Sequence, residues 1–314
     1  MNTLYQRIKQ IIKKHESLYY LIYHIKIYGL YLMNRFSNYQ LEKRRFYRKL
    51  GYPLNLKNPQ SFNEKIVWKK IYDRNPLLPI TADKYRVRSY LKDVLGEEQA
   101  NQILIPILYV TDKPKTIPFD RLPSSFIIKP NHASGRSLIV KDGHYNPKEI
   151  IRTCKRWLQT PYGLEKLEWA YQPIKRKIIV EELLLEEGKI PRDIKFHMFH
   201  GKCHYIHVDF DRSDKHLRTL FTPEWKLLNV ANKTKKGDFI NSPKNLSKMI
   251  NIAERVSKPF DYIRVDFYNI KGKVYIGELT SYQTSGMGKF EPQSFDFELG
   301  KHWRIKPKYW KKLI

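Results

Sequence analysis

A mixed helix-and-strand protein, α/β or α+β, is what this sequence predicts. Three observations carry the reading. Apolar spacing is helical through the first hundred residues or so, short β-like runs then take over, and further helices recur between those runs. The 314 residues suffice for one large unit or two interleaved ones, with no fixed-period repeat and no long linker to divide them. A hydrophobic fraction of 41% supports a real core, and 14% aromatics argues against disorder.

Taken in order, residues 1–50 read as two or three basic helices, broken at Gly29 and ended by Gly51 and Pro53. Within them LYYLIYHIKIYGLYLM, residues 18–33, comes nearest to a membrane segment. With His24 and Lys26 inside, it is too short for a comfortable span. Its aromatics and basic flanks (Lys13, Lys14, Arg35, Lys43, Arg44, Arg45) suit an interfacial helix, and a helix buried in a soluble domain is the plainer alternative. Ser61 and Glu64 make a Ser-x-x-Glu capping signal for a helix to about Tyr72, and a second helix is expected from Thr81 to about Val94. Strands follow at 103–110, 125–130, 137–142 and 175–184, with a helix at 146–159. A hairpin around Gly201 spans 194–211, a capped helix 242–260, and a last hairpin 262–280. The boundaries expected from this pass are 1–58, 59–124, 125–184, 185–298 and a basic aromatic tail at 299–314.

The charge balance is lopsided, with 59 Lys and Arg against 31 Asp and Glu, a formal net charge of +28. Such an excess implies a polyanionic neighbour, whether nucleic acid, acidic lipid, acidic polysaccharide or nucleotide phosphate. Cys154 and Cys203 make no disulfide framework, and the start shows no signal-peptide pattern, which reads as a cytoplasmic chain.

The final hairpin, YIRVDFYNIKGKVYIGELT, carries the sharpest chemical signal. Alternation puts Arg264 and Asp266 on one face and Ile263, Val265 and Phe267 on the other. On the returning strand Ile276, Glu278 and Thr280 share a face. With the turn centred on Gly272, Asp266 pairs with Glu278. Two adjacent carboxylates repel unless a cation lies between them, and Mg²⁺ bridged to phosphate answers that need. A solvated hairpin face is the competing explanation. Lys129 ends an apolar strand before a loop in which Ser134 and Gly135 could present backbone N–H groups to an anion. Glu181 and Glu182 end another apolar strand, where a carboxylate can hold ribose hydroxyls or an adenine amino group. Lys195 shares a face with Asp193 and His197 and is a second phosphate candidate.

Taken together, SFNEKIVWKKI, TADKYRVRSYL, FIIKPNHASG, VEELL, RDIKFHMFHGK, RVDFYNIKGKVYIGELT and SGMGKFEP resemble the ATP-grasp enzymes. Spanning residues 60–295 or so, they are most similar to the TupA-like branch tied to teichuronopeptide and capsular polysaccharide synthesis. The resemblance implies an α+β ATP-grasp fold, two α+β subdomains clasping ATP, with a basic helical N-terminal extension. It implies ATP and Mg²⁺ as cofactors, phosphate contacts from Lys84 and Lys129, and an adenine–ribose hinge at Glu181, Glu182, Leu183 and Leu184. Catalytic roles fall on Arg264 and Lys195, and metal ligation on Asp266, Glu278 and Thr280. Thr280 stands where many relatives have Asn, and a hydroxyl is a weaker ligand. The implied activity is a carboxylate–amine ligase working through an acyl phosphate. It would join an amino acid or other amine to a uronic acid of a polyanionic polysaccharide or its lipid-linked precursor, with peripheral contact to the inner face of an acidic membrane. A rival is a nucleotide-sugar glycosyltransferase using Asp209-Phe210-Asp211 to hold Mn²⁺ and a diphosphate. A non-enzymatic binder of acidic polymer or nucleic acid is the third reading. Nucleic acid is unlikely, because the charge is spread without a recognition signature.

Overall fold

In a computed structural model, residues 16–210, 217–232, 235–237 and 239–305 are described. Asp211 and the expected ends 1–15 and 306–314, which include Tyr309 and Trp310, lie outside that set.

Helix α1 (Glu16–Phe36) runs unbroken through Gly29, where the sequence suggested a break. A helical glycine costs only about 1 kcal/mol, so it need not end a helix. Helix α2 (Gln40–Leu50) stops at Gly51, whose φ of 83° suits glycine and whose N–H donates to the Tyr47 carbonyl. Tyr39, Phe46 and Leu50 pack with Val67, Trp68 and Ile71 of α3 (Phe62–Tyr72). At the start of α3 the Ser61–Glu64 capping box forms as expected.

The single helix expected from Thr81 is instead split into α4 (Leu77–Ala82) and α5 (Val87–Leu95). Asp83 is extended between them, and its carboxylate accepts from the Tyr85 N–H at 2.8 Å and the Asn131 amide at 2.9 Å. Those local and long-range acceptor roles outcompete helix continuation. Helix α6 (Glu97–Ile103) takes the start of the run read as a strand.

The first sheet is antiparallel, in the order β1 (Ile107–Thr111), β4 (Ile178–Glu182), β2 (Phe126–Pro130), β3 (Leu138–Val140). Phe126, Ile128, Ile178 and Val180 form one face and pack on Ile150 and Cys154 of α7 (Pro147–Gln159), whose first turn is capped by Asn146. The second sheet runs β10 (Lys235–Lys236), β7 (Leu217–Phe221), β6 (Lys202–Phe210), β5 (Asp193–Phe199), β11 (Tyr262–Ile270), β12 (Lys273–Thr280), with β8 (Leu227–Leu228) on β7. A short pair joins β9 (Ala231–Asn232) to β13 (Phe290–Glu291). On the second sheet Phe196, Met198, Ile263, Val265 and Phe267 are buried in one core with Met249, Ile252 and Val256 of α8 (Leu246–Ser257). Helix α8 starts without a side-chain cap, and the Asn245 amide group donates to Asn269 and to the Gly272 carbonyl. Helix α9 (Ser294–His302) ends near Trp303, which is fully buried and donates its indole N–H to Asp261 at 2.9 Å.

Candidate active site

On the second sheet, the face opposite α8 is polar, yet it is buried. Register sets its rows: Asp266 lies between Lys195 and Glu278, and Arg264 between His197 and Thr280. Asp266 pairs with Glu278 as expected, but not through a turn centred on Gly272. Ile270 pairs with Lys273, so the turn is Lys271-Gly272, and Phe267 pairs with Ile276. Gly277 is then an extra residue in a β-bulge, which brings Glu278 opposite Asp266. The bulge reverses the phase of the returning strand, so Ile276 faces the core at 4% exposure rather than sharing the Glu278 face. A side chain at Gly277 would press on the Tyr268 ring, with a Cβ only 3.0 Å from it.

Arg264 organises this face. Its guanidinium grips Asp266 through two 2.6 Å bonds and donates to Glu278 and Thr280 at 3.0 Å each, and also to Gln283. Lys195 lies 2.5 Å from Asp193, 3.1 Å from Asp209 and 3.8 Å from Asp266. Burial lowers the Lys195 ammonium from its ordinary value, against the pull of Asp266 and Asp209. Arg264 stays charged because the carboxylates around it outweigh its desolvation. Burial alone would raise the Glu278 carboxyl, but Lys84, Arg264 and Lys195 outweigh it and hold it at about 2. Glu278 also differs from Asp266 in access: its side chain is 32% exposed toward a cavity, whereas that of Asp266 is 4% exposed.

Across the cleft, Lys129 and Glu181 share a face of the first sheet and pair at 2.5 Å. Lys84, in the break between α4 and α5, donates from its backbone to the Asn131 carbonyl and from its ammonium to Ala133 at 2.6 Å. Burial lowers that ammonium, against the attraction of Glu278 on the second sheet and of Glu181 and Asp83. Ser134 in the β2–β3 loop, with Arg264, Glu278 and Thr280, lines a cavity of about 790 Å³. Gly135 adopts a φ of 69° in the same loop without lining that cavity. Glu182 is exposed on the face opposite Glu181, while Leu183 and Leu184 are half-buried where the chain leaves β4. None of these three lines the cavity.

The far end of the cavity was not foreseen. Thr284, Ser285 and Gly286 all have positive φ, 46°, 58° and 73°, a costly conformation for the two non-glycine residues. A Cβ on Gly286 would meet Val67 at 2.7 Å and the Asn63 carbonyl at 2.8 Å, so this turn presses directly on α3. Buried Lys70 holds it, donating to the Ser285 carbonyl at 2.9 Å and hydroxyl at 3.0 Å while pairing with Glu42 of α2 at 2.5 Å. Glu168 lies beneath, its carboxyl raised by burial against the charges of Lys70 and Lys166 and a hydrogen bond from Ser285. Arg45 and Lys49 of α2 complete the wall. Asn63, Val67 and Lys70 fall in SFNEKIVWKKI, and Ser285 and Gly286 in SGMGKFEP. No local signal joins these stretches to Arg45, Lys49 and Glu168, which long-range packing brings together.

A scan against protein families matches the one described as TupA-like ATPgrasp over residues 64–304. The chain belongs to the TupA-like ATP-grasp family. Its two sheets are the halves of an ATP-grasp fold, as the resemblance implied. Among solved structures, the chain is similar to D-alanine–D-alanine ligase from Helicobacter pylori, at 14% identity over 79% of this chain and 68% of that one, with a TM-score of 0.44. The same enzyme from Bacillus anthracis, complexed with ATP, gives 18%, 65%, 54% and 0.37. The ATP-grasp ligase PsnB, complexed with minimal precursor, Mg and ADP, gives 13%, 70%, 58% and 0.37. The chain thus spans a little over half the length of the Bacillus anthracis ligase. A search of curated proteins returned no match.

Proposed function

We propose that this TupA-like ATP-grasp protein is an ATP- and Mg²⁺-dependent carboxylate–amine ligase. The observation that carries the reading is the cavity in which Arg264, Glu278 and Thr280 of the second sheet meet Ser134 of the β2–β3 loop, the loop whose Ala133 carbonyl accepts from the Lys84 ammonium at 2.6 Å. Nucleotide phosphates entering this cleft meet Lys84, Lys129 and Lys195, while Ser134 and Gly135 offer loop N–H groups. Glu181, Glu182, Leu183 and Leu184, at the end of β4, take the adenine and ribose end. Asp266, Glu278 and the Thr280 hydroxyl supply oxygen donors on neighbouring sheet positions, which fits a hard cation that keeps phosphate and water ligands. Among the described residues no group of three His, Cys, Asp or Glu is gathered for a metal, so Mg²⁺ held here would draw the rest of its shell from phosphate and water. When bound, it supplies charge neutralisation between carboxylates and phosphates.

In the reaction, a substrate carboxylate oxygen attacks the γ-phosphorus and ADP departs. The amine nitrogen then attacks the acyl carbon, loses a proton, and expels phosphate. Arg264 and the lysines stabilise charge on the transferring phosphoryl group, and no protein nucleophile is required. On this reading one substrate is a uronic acid of a cell-surface or capsular polysaccharide or its lipid-linked precursor, and the other is an amino acid or similar amine. Helix α1 supports a seat on an acidic membrane. Leu21, Ile25, Leu32 and Phe36 recur along it at helical spacing and stay exposed, Phe36 at 86%, while Ile27 and Asn34 on the same helix are buried. Among the described residues no helix is long and apolar enough to cross a membrane. The glycosyltransferase reading needs Asp209 together with Asp211; Asp209 is buried against Arg218 at 2.7 Å and Lys195 at 3.1 Å, and Asp211 lies outside the described residues.

The test is ADP release from Mg–ATP with uronate and amino-acid pairs. Asp266→Ala and Glu278→Ala are expected to lower turnover by about 10²-fold or more. Turnover equal to the parent in both variants would refute the assignment.

A further inference from the structure

We infer that the α2 side of the cavity is an anion subsite, built by Arg45, Lys49 and Lys166, which holds a carboxylate or phosphate of the acceptor outside the reacting centre. This rests on the ligase reading of the same cavity and assigns the chemical class of what enters from its far end.

The two ends of the cavity differ in how their cations are used. Near β11 and β12 the cations are already engaged: Arg264 has Asp266, Lys195 has Asp193, Lys129 has Glu181, and the Lys84 ammonium donates to the Ala133 carbonyl. At the α2 end, Lys49 and Lys166 are exposed and make no ion pair within 4 Å among the described residues. Arg45 reaches Glu42 only at 3.9 Å, and Glu42 is already committed to Lys70 at 2.5 Å. Lys289, on the same wall, is by contrast neutralised by Glu291 at 2.9 Å. Three positive charges thus converge on one concave wall without a matching acid of their own.

The strongest charges on the acids of the two ends also differ. The charges that act on Glu278 are those of Lys84, Arg264 and Lys195. Those on Glu168, at the floor below the rim, come from Lys70, Lys166 and Arg45. The buried Lys70 ammonium offsets Glu168 from beneath, so the rim cations keep their attraction for a ligand. Arg45 provides a planar fork for a two-oxygen group, and Lys49 and Lys166 are mobile point charges suited to further anionic groups along an extended acceptor. The placement is robust because Phe46, next to Arg45, and Leu50, next to Lys49, are locked into the core with α3.

The test is titration calorimetry on the full chain at low and moderate salt. The probes are a trigalacturonate, an oligosaccharide phosphorylated at its reducing end, a neutral trisaccharide, and a non-hydrolysable Mg–ATP analogue. The parent is expected to bind at least one anionic probe, more weakly as salt rises, and to bind the neutral sugar at least about tenfold more weakly. Preference between the two anionic probes identifies carboxylate or phosphate as the group held. Lys49→Glu with Lys166→Glu, both exposed and therefore safe for folding, should cost about tenfold or more in anion affinity while nucleotide affinity holds. Arg45→Glu should add to that loss. The inference is overturned if no anionic probe binds, if the neutral sugar binds as well, if the variants match the parent, or if the variants lose nucleotide affinity instead. Failure of the ligase reading looks different: the parent would bind the anionic probe and show no nucleotide binding or ADP release.

Discussion

The two sheets reach the same cleft with opposite electrostatic designs. The first contributes a single ion pair, Lys129 with Glu181, on a sheet whose other face is an ordinary apolar core. The second buries a connected array in which Arg264, Asp266, Lys195, Asp193, Asp209 and Arg218 satisfy one another. A buried charge without a partner costs several kcal/mol, so such an array fixes its geometry before any ligand arrives. The contrast predicts that the second sheet holds its geometry and that the first sheet, with its loop at Ser134 and Gly135, changes more when nucleotide binds.

The largest expected effect comes from breaking the array. Asp266→Ala strands Arg264 without its two-bond partner and should destabilise the fold by about 3–5 kcal/mol, whereas Glu181→Ala should cost clearly less. Urea unfolding of both variants checks the difference, and equal losses would erase the proposed asymmetry. A smaller effect is expected at Glu278, which opens to the cavity. Its carboxyl is held at about 2 against an ordinary 4.5, so its ionised form stabilises the folded state at neutral pH. That contribution is complete above about pH 4.5 and is lost as pH falls toward 2. The stability gap between the parent and Glu278→Gln should therefore be present at pH 7 and close across that acid range. A gap that widens on acidification would mean the carboxyl is raised instead.

Much of the second sheet was readable beforehand because strand alternation and a short glycine turn narrow face and register. Asp266 opposite Glu278 is the expected pair, but the turn, with Ile270 opposite Lys273, would by itself set Asp266 against Gly277, and the bulge restores Glu278. That bulge has no mark in the sequence, since one extra residue leaves the same apolar pattern on paper while reversing the face of Ile276. Burial of the polar face was equally hidden, because alternation cannot tell a solvated row from an enclosed one. Lys84 was found through family resemblance, but the helix break that frees it depends on Asn131, far along the chain. The α2 wall was missed altogether. It is positioned by Lys70 reaching Glu42 and Ser285 simultaneously, a tertiary arrangement with no local signature.

The account rests on both sheets engaging one nucleotide. Hydrogen exchange of the full chain, with and without a Mg-bound non-hydrolysable ATP analogue, tests this directly. Slower exchange is expected together in β2 with its following loop, at 126–137, and in the hairpin at 262–280, with the larger change in the first segment. Protection of only one segment, or of neither at saturating nucleotide, would contradict it.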